Sequence, residues 1–379
     1  MALVLNEEQV MLKDSAAGFL AQKAGVPQLR ALRDGNSAEG FDPAVWREMV
    51  DMGWAGIAIP EDFGGLGYGY TGFGLVLEQV GRHLSCSPLE SSVLVAATLV
   101  NELGSPAQKA RWLPAIAGGD CQMTLALQEG SHHAPERTAA TARAEGDGFV
   151  LNGDKVLVLD AATAGHFLVV ARTAGEAGDT EGLGVFLVAA GTEGLSVEPR
   201  SMVDSRSAGA LALRDVRVDA DAVLGEPGAA WAALERTLDI ANIGLAAELL
   251  GLSVEAFERT VAYLQERKQF GRIIGGFQGL QHRAAELFAE LELARSTVLK
   301  ALQAIDGDAD KLSLLASAAK AKLCEVAARA TNEAIQMHGG IGMTDEHEIG
   351  FFIKRARVVQ HTFGDYNYHL DRFARLSGF

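Results

Sequence analysis

Cysteine is scarce in this chain. Cys86, Cys121 and Cys324 are the only three in 379 residues, and none forms a CxxC pair. That count and spacing speak against a disulfide framework and against a zinc site. Basic residues are also outnumbered: 33 Lys and Arg stand against 49 Asp and Glu, a net charge of -16. The chain lacks the basic face that DNA or RNA demands, so no nucleic-acid partner is expected. Single arginines and helix N-termini can still hold an anionic nucleotide. No apolar run is both long enough and charge-free enough to span a bilayer. The opening MALVLNEEQV lacks a basic stretch followed by an apolar one, so no secretory leader is expected. Internal repeats and low-complexity tracts are missing too. The expectation is a soluble cytoplasmic protein without membrane insertion.

What is present suits a globular chain. Hydrophobic residues make up 48% and charged residues 22%, and the length fits two or three domains. The first third reads as helices. Asn6 with Gln9, Asp42 with Pro43, and Ser105 with Pro106 are N-terminal capping signals ahead of apolar residues at helical spacing. Near Gly118-Gly119 the period changes. Short alternating or β-branched runs follow between residues 121 and 216, separated by turn signals such as Gly146-Asp147-Gly148 and Asn152-Gly153. After Gly225-Glu226-Pro227-Gly228 four long helical segments are expected, at 229–268, 277–305, 310–337 and 346–376. The fold class expected is α+β multidomain. It comprises an all-α N-terminal domain (1–119), an antiparallel β-sandwich or barrel (120–227) and a four-helix bundle (228–379).

Three glycine-rich stretches bear on function. Gly67-Tyr68-Gly69-Tyr70-Thr71-Gly72 matches G-x-G-x-x-G, with 54–60 as a possible strand ahead of it. Its surroundings are helical rather than βαβ, so it reads as an interhelical loop and not a dinucleotide site. YLQERKQFGRIIGGFQ, from Tyr263 to Gln278, sets Arg267, Lys268 and Arg272 beside Phe270 and Phe277 in a glycine-rich turn. Such a segment can hold a pyrophosphate and pack an adenine or flavin ring; a solvated helix C-cap is the plainer alternative. QMHGGIG, from Gln336 to Gly342, ends a helix with Gly339-Gly340, which lets a ligand approach the backbone or simply caps the helix.

Taken in this order and at this separation, the last two segments resemble the acyl-CoA dehydrogenase family. The likeness extends over nearly the whole chain, through MGWAGIAIPEDFGGLGYGY, DGFVLNGDKVLVLDAATAGHFLVVART and the stretch from Ala334 to Leu370. Phe363-Gly364-Asp365 followed by His369-Leu370 is most similar to a bacterial branch of pimeloyl-CoA dehydrogenase small subunits, which pair with a larger homologue. The resemblance implies a three-domain fold with FAD at a subunit interface. It implies α,β-dehydrogenation of an acyl-CoA, with an electron-transfer flavoprotein taking the electrons. The assembly is either a homotetramer or a heterotetramer with a larger homologous subunit. By motif position Arg267, Gln269, Phe270, Phe277 and Gln278 reach FAD across a dimer interface. Gln336, Gly339 and Gly340 reach it at a second subunit contact, and Leu127, Gln128 and Leu159 lie on the flavin-facing strands.

Several positions depart from the family pattern. The glutamate base of many members falls on Phe363, and the alternative position on the first bundle helix falls on Ala241, with Asn242 replacing an arginine. Glu248 is the carboxylate that remains well placed on that helix, two turns beyond Ala241. Its neighbours Gly244, Leu245, Gly251 and Leu252 form an apolar stripe without a partner for its charge, so Glu248 is expected to be the base. The opposing reading pairs it with an arginine of another helix or subunit. Gln128-Glu129-Gly130 replaces Thr-Glu-Pro, while Leu157 and Leu159 replace a Trp and a Thr near the flavin. These losses leave open a non-catalytic partner subunit, and an oxygen-using flavoprotein of the same fold remains a further reading. His132-His133 has no acidic or cysteine partner at ligand spacing, so no metal is expected. His133 or Arg137 lies where the family meets the CoA phosphate arm, and His282 and His369 are expected to be structural.

Overall fold

The computed structural model describes residues 3–37, 39–307 and 309–379. Helices begin where local chemistry satisfies their first N–H groups. Asn6 accepts from the Gln9 N–H at 2.8 Å and Gln9 reciprocates at 3.0 Å, opening α1 (Glu7–Lys23). Helix α2 (Val26–Asp34) follows without such a signal. Asp42 accepts from the Ala44 N–H at 2.8 Å to open α3 (Pro43–Asp51). After α4 (Tyr70–His83), a π-helical stretch at Leu89–Ala97 runs into α5 (Thr98–Leu103). Ser105 and Gln108 form a second capping box at α6 (Pro106–Ala117).

The glycine motif at 67–72 is a loop, as expected, and the structure gives the reason. Residues 54–56 form a 3-10 turn instead of a strand. The first turn of α4 is also already occupied: the Asp306 carboxylate accepts from the Tyr70 and Thr71 N–H groups, both at 2.9 Å, and from the Thr71 hydroxyl at 2.7 Å. A carboxylate caps the site a phosphate would need.

The strands are β1 (Met123–Ala126), β2 (Thr141–Glu145), β3 (Gly148–Leu159), β4 (His166–Arg172), β5 (Leu183–Ala189), β6 (Leu195–Ser201), β7 (Ser207–Asp219) and β8 (Val223–Leu224). They form one mixed sheet in the order β6-β7-β3-β2-β4-β5-β8, with β1 on β4. The expected purely antiparallel arrangement is therefore corrected. Loop 127–140 crosses over, so β1 and β2 both run parallel to β4. Asn152-Gly153 is not a turn. Strand β3 passes straight through it with a bulge, stitched to β7 by Asn152 and Asp215 at 2.9 and 3.0 Å. A second bulge between Lys155 and Val158 puts Leu157 at φ 52° and leaves it 54% exposed.

The described residues gather into two compact units. One comprises 32–69 and 86–241, with the sheet and its apolar core of Phe167, Val169, Phe186, Leu211 and Leu213. The other takes the described residues up to Ala31, then Tyr70–Ser85 and Asn242–Phe379. It holds α1, α4 and the second part of α7 (Trp231–Glu266). With them are α8 (Gln278–Gly307), α9 (Leu312–His338), α10 (Ile349–His361) and α11 (Tyr366–Leu376). The segment expected as one helix at 346–376 is two, broken where Phe363 (φ 53°) and Gly364 (φ 108°) turn the chain and Asp365 caps α11. Helix α7 is long and apolar enough to cross a membrane by length and composition, yet 89% of its most apolar window is buried within the protein, as in a core helix. In this unit α4 and α7 cross at glycines. A Cβ on Gly251 would lie 1.7 Å from the Glu78 carbonyl oxygen, and one on Gly81 2.1 Å from that of Glu248.

Candidate active site

The segment after α7 is a small hairpin rather than a helix cap. Strand β9 (Lys268–Gln269) pairs with β10 (Arg272–Ile273) around Phe270-Gly271, both at positive φ (51° and 76°). Two left-handed residues in a two-residue loop match the twist of the flanking strands. Phe270 is 91% exposed at the tip. Its ring stands edge-on to Phe277 at 6.2 Å, and the Arg272 guanidinium lies 3.9 Å from the Phe277 ring centre. Arg267, Gln269 and Gln278 are exposed around this stack.

The root of the hairpin packs on the second glycine segment. Tyr263, in the last turn of α7, stacks on His338 with centroids 4.4 Å apart, and its hydroxyl donates to the His338 carbonyl at 3.3 Å. Beyond His338 the chain turns through Gly339 at φ 65°. A Cβ added at Gly339 or Gly340 would meet nothing within 4 Å, and Gln336 is exposed beside them. The two segments singled out in the sequence are thus neighbours within one unit.

In the sheet unit, Leu127 is buried just after β1. The Gln128 carbonyl accepts from the Val156 N–H at 2.7 Å at the second bulge of β3, where Leu157 also sits, with Leu159 just beyond it, paired to Ala208. Residues 127–138 surround a cleft of about 380 Å³, lined by Gln128, His132, Arg137 and Thr138 among others.

The base positions are now defined. Ala241 is buried and apolar. Phe363 lies in a turn whose three consecutive carbonyls are all bound. Lys320 donates to Thr362 O (2.5 Å) and Gly364 O (3.2 Å). Asn242 (3.2 Å) and the ring nitrogen of His369 (3.1 Å) reach Phe363 O. The Lys320 ammonium also meets Asn242 Oδ1 at 3.0 Å, and burial pushes its pKa down to about 8.

The expectation that Glu248 lacks a partner is overturned. Arg355 on α10 grips it with two bonds, Nε to Oε1 at 2.6 Å and Nη2 to Oε2 at 2.8 Å. The side chains are 0% and 4% exposed. Glu248 is thus a paired carboxylate, as in the opposing reading of the sequence, and not one facing only apolar neighbours.

Sequence models of the acyl-CoA dehydrogenase N-terminal, middle and C-terminal domains match residues 6–120, 125–216 and 228–377. The chain belongs to the acyl-CoA dehydrogenase family. A probable acyl-CoA dehydrogenase of Bacillus subtilis (strain 168), YngJ, is 30% identical over 368 residues, 95% of each chain. Among solved structures, a variant of the Tcur3481-Tcur3483 steroid ACAD is 32% identical with a TM-score of 0.87 over 98% of each chain. A chain of the ChsE4-ChsE5 complex from Mycobacterium tuberculosis is 26% identical with a TM-score of 0.90 over the full length of both. Family membership makes the protein an oxidoreductase acting on acyl-CoA, with FAD as cofactor. The residues present fit that group. The open space above Gly339 and Gly340 lets a ligand approach the backbone there, and the Phe270–Phe277–Arg272 stack offers flat faces to an aromatic ring.

Two buried lysines were missed by sequence reasoning: Lys155, on β3, and Lys320. Their signal is faint, since each is a single basic residue whose burial is set by the fold and not by its neighbours in sequence.

Proposed function

We propose that this chain is one subunit of a heteromeric, FAD-dependent acyl-CoA dehydrogenase that carries out α,β-dehydrogenation of an acyl-CoA thioester, passing electrons to an electron-transfer flavoprotein. The observation that carries the reading is the state of the base positions. Phe363 and Ala241 cannot take a proton, and Glu248 is engaged by Arg355. Two of the similar structures bear the names of two proteins each, which supports a paired assembly, as does the likeness to the pimeloyl-CoA dehydrogenase small-subunit branch. In this reading the larger homologue provides the base that removes the α-proton. When bound, FAD accepts the hydride from the β-carbon. This chain contributes Arg267, Gln269, Phe270, Phe277 and Gln278 to one contact with FAD. It offers Gln336, Gly339 and Gly340 to another, and Leu127, Gln128 and Leu159 from the sheet. Arg267 neutralises phosphate charge, the missing side chains at Gly339 and Gly340 let the cofactor approach the backbone, and aromatic faces pack on the rings.

The test is purification of the chain alone and with a co-expressed larger homologue, followed by flavin stoichiometry and an acyl-CoA screen with an artificial acceptor. The chain alone is expected to hold well under one FAD per subunit and to turn over no acyl-CoA, whereas the complex does both. Full FAD occupancy of the isolated chain, bleached by an acyl-CoA, would overturn the reading.

A second reading keeps Glu248 as the base, favoured by its complete burial, which suits the water exclusion that α-proton removal needs. Glu248→Gln separates the two. Under the first reading the variant loses stability while turnover per folded complex stays within about twofold. Under the second it keeps FAD and loses turnover on the order of a thousandfold.

A further inference from the structure

We propose that Lys155 and Glu129 form a positioning device that holds loop 127–140 closed and so fixes Leu127 and Gln128 for FAD. This rests on the reading that those two residues face the cofactor. Lys155 is 0% exposed, and its ammonium donates to the Leu127 carbonyl at 3.1 Å and to Glu129 Oε1 at 2.6 Å. The same carboxylate accepts the Ala139 and Ala140 N–H groups at 2.7 and 3.0 Å. One ion pair therefore ties the start of the loop to its end. Gln128 is fixed from both sides. Its carbonyl takes the Val156 N–H, next to Lys155 in sequence, and its amide donates to the carbonyls of Gly130 (2.8 Å) and His132 (2.6 Å).

The far part of the loop is held by Arg172 on β4. It donates to the carbonyls of Glu136 (2.8 Å) and Thr138 (3.1 Å) while also binding those of Asp179 and Glu181 in the next loop. Nothing in the chemistry of a core requires a lysine where an apolar residue could sit, and burying a lone ammonium is costly. What the lysine gains is a defined backbone position at Leu127.

Glu129 is the acid facing this ammonium. Nearby charges on the neighbouring strands are engaged elsewhere: Asp154 with Arg214 at 2.7 Å, Arg143 with Glu145 at 2.5 Å, and Arg172 with carbonyls. Burial pushes the Lys155 ammonium down to about 8, with Glu129 opposing the shift. Above that pH the charge assistance at Leu127 and Glu129 is lost. The stability effect has the opposite sign. Between about pH 8 and the ordinary 10.5 the unfolded chain keeps a proton the folded chain has released, so this group's contribution to overall stability rises with pH. Loosening of the loop is thereby separable from unfolding.

The test uses the purified complex with Lys155→Met and Glu129→Gln, the second a near-isosteric change that preserves packing. Both are expected to weaken FAD binding at pH 7 about tenfold or more by flavin-fluorescence titration. In FAD-free protein both are expected to speed hydrogen exchange at the Ala139 and Ala140 amides. Wild-type affinity is expected to fall above about pH 8 with loss of one proton while the unfolding midpoint does not fall with it. Folded Glu129→Gln with wild-type FAD affinity, pH profile and amide exchange would sink the proposal. If the wild-type complex takes up no FAD at all, the reading of Leu127 and Gln128 fails instead, and amide exchange alone decides whether the pair clamps the loop.

Discussion

Replacing Arg355 by methionine is expected to lower the folding stability of the helical unit by about 3–5 kcal/mol, the range seen when one member of a buried ion pair is removed. Glu248 would remain in place with no exposure to water and with both bonds at 2.6 and 2.8 Å gone. Loss of the facing guanidinium at that depth is the dominant cost; the loss of two hydrogen bonds is the smaller share. The double variant Arg355→Met, Glu248→Leu is expected to recover most of the loss, because two apolar side chains of similar volume need no counter-charge. Urea titration of the purified protein, comparing midpoints at constant slope, measures both. An unchanged midpoint in the single variant would mean that the pair carries no structural weight.

Gly251→Ala is expected to be at least as damaging, about 4 kcal/mol or more, and to leave little folded protein. The added Cβ would lie 1.7 Å from the Glu78 carbonyl oxygen and 3.0 Å from the Arg82 nitrogen, all backbone atoms of α4 that cannot rotate away. The helices would have to separate, breaking packing along the entire crossing. Gly18→Ala is the control. It lies within α1, and a Cβ there meets nothing within 4 Å, so the change is expected to stabilise by about 0.5–1 kcal/mol through helix propensity. Thermal midpoints of the two variants should therefore move in opposite directions. If Gly251→Ala behaves like Gly18→Ala, the crossing is not close.

What the sequence disclosed was largely local. The caps at Asn6, Asp42 and Ser105 open helices as read, because a cap is settled within three or four residues. Strand β6 has little local signal. Its Glu198-Pro199-Arg200 reads as loop, and it is a strand only because β7 pairs with it at the edge of the sheet, where proline and charge are tolerated. The hairpin at 268–273 was hidden in a glycine-rich helix end. At the site, Glu248 has a partner hidden from the sequence for the same reason. Its helical neighbours are apolar, and the arginine that answers it is 107 residues away in sequence. Lys155 and Lys320 pass for surface lysines until the fold surrounds them with carbonyls. Sequence periodicity places a side chain on a face; it does not say what comes to meet it.

The turn at 362–364 has a consequence for descent as well as for chemistry. Its shape is maintained through three main-chain oxygens by Lys320, Asn242 and His369, none of which touches the side chain of residue 363 through these bonds. These bonds go to main-chain oxygens, so a side chain at 363 that tolerates the left-handed backbone can change without removing them. A lineage can exchange a carboxylate there for a phenyl ring by point mutation without dismantling the scaffold. Duplicated copies can then drift apart in duty while remaining close enough in form to dock with one another.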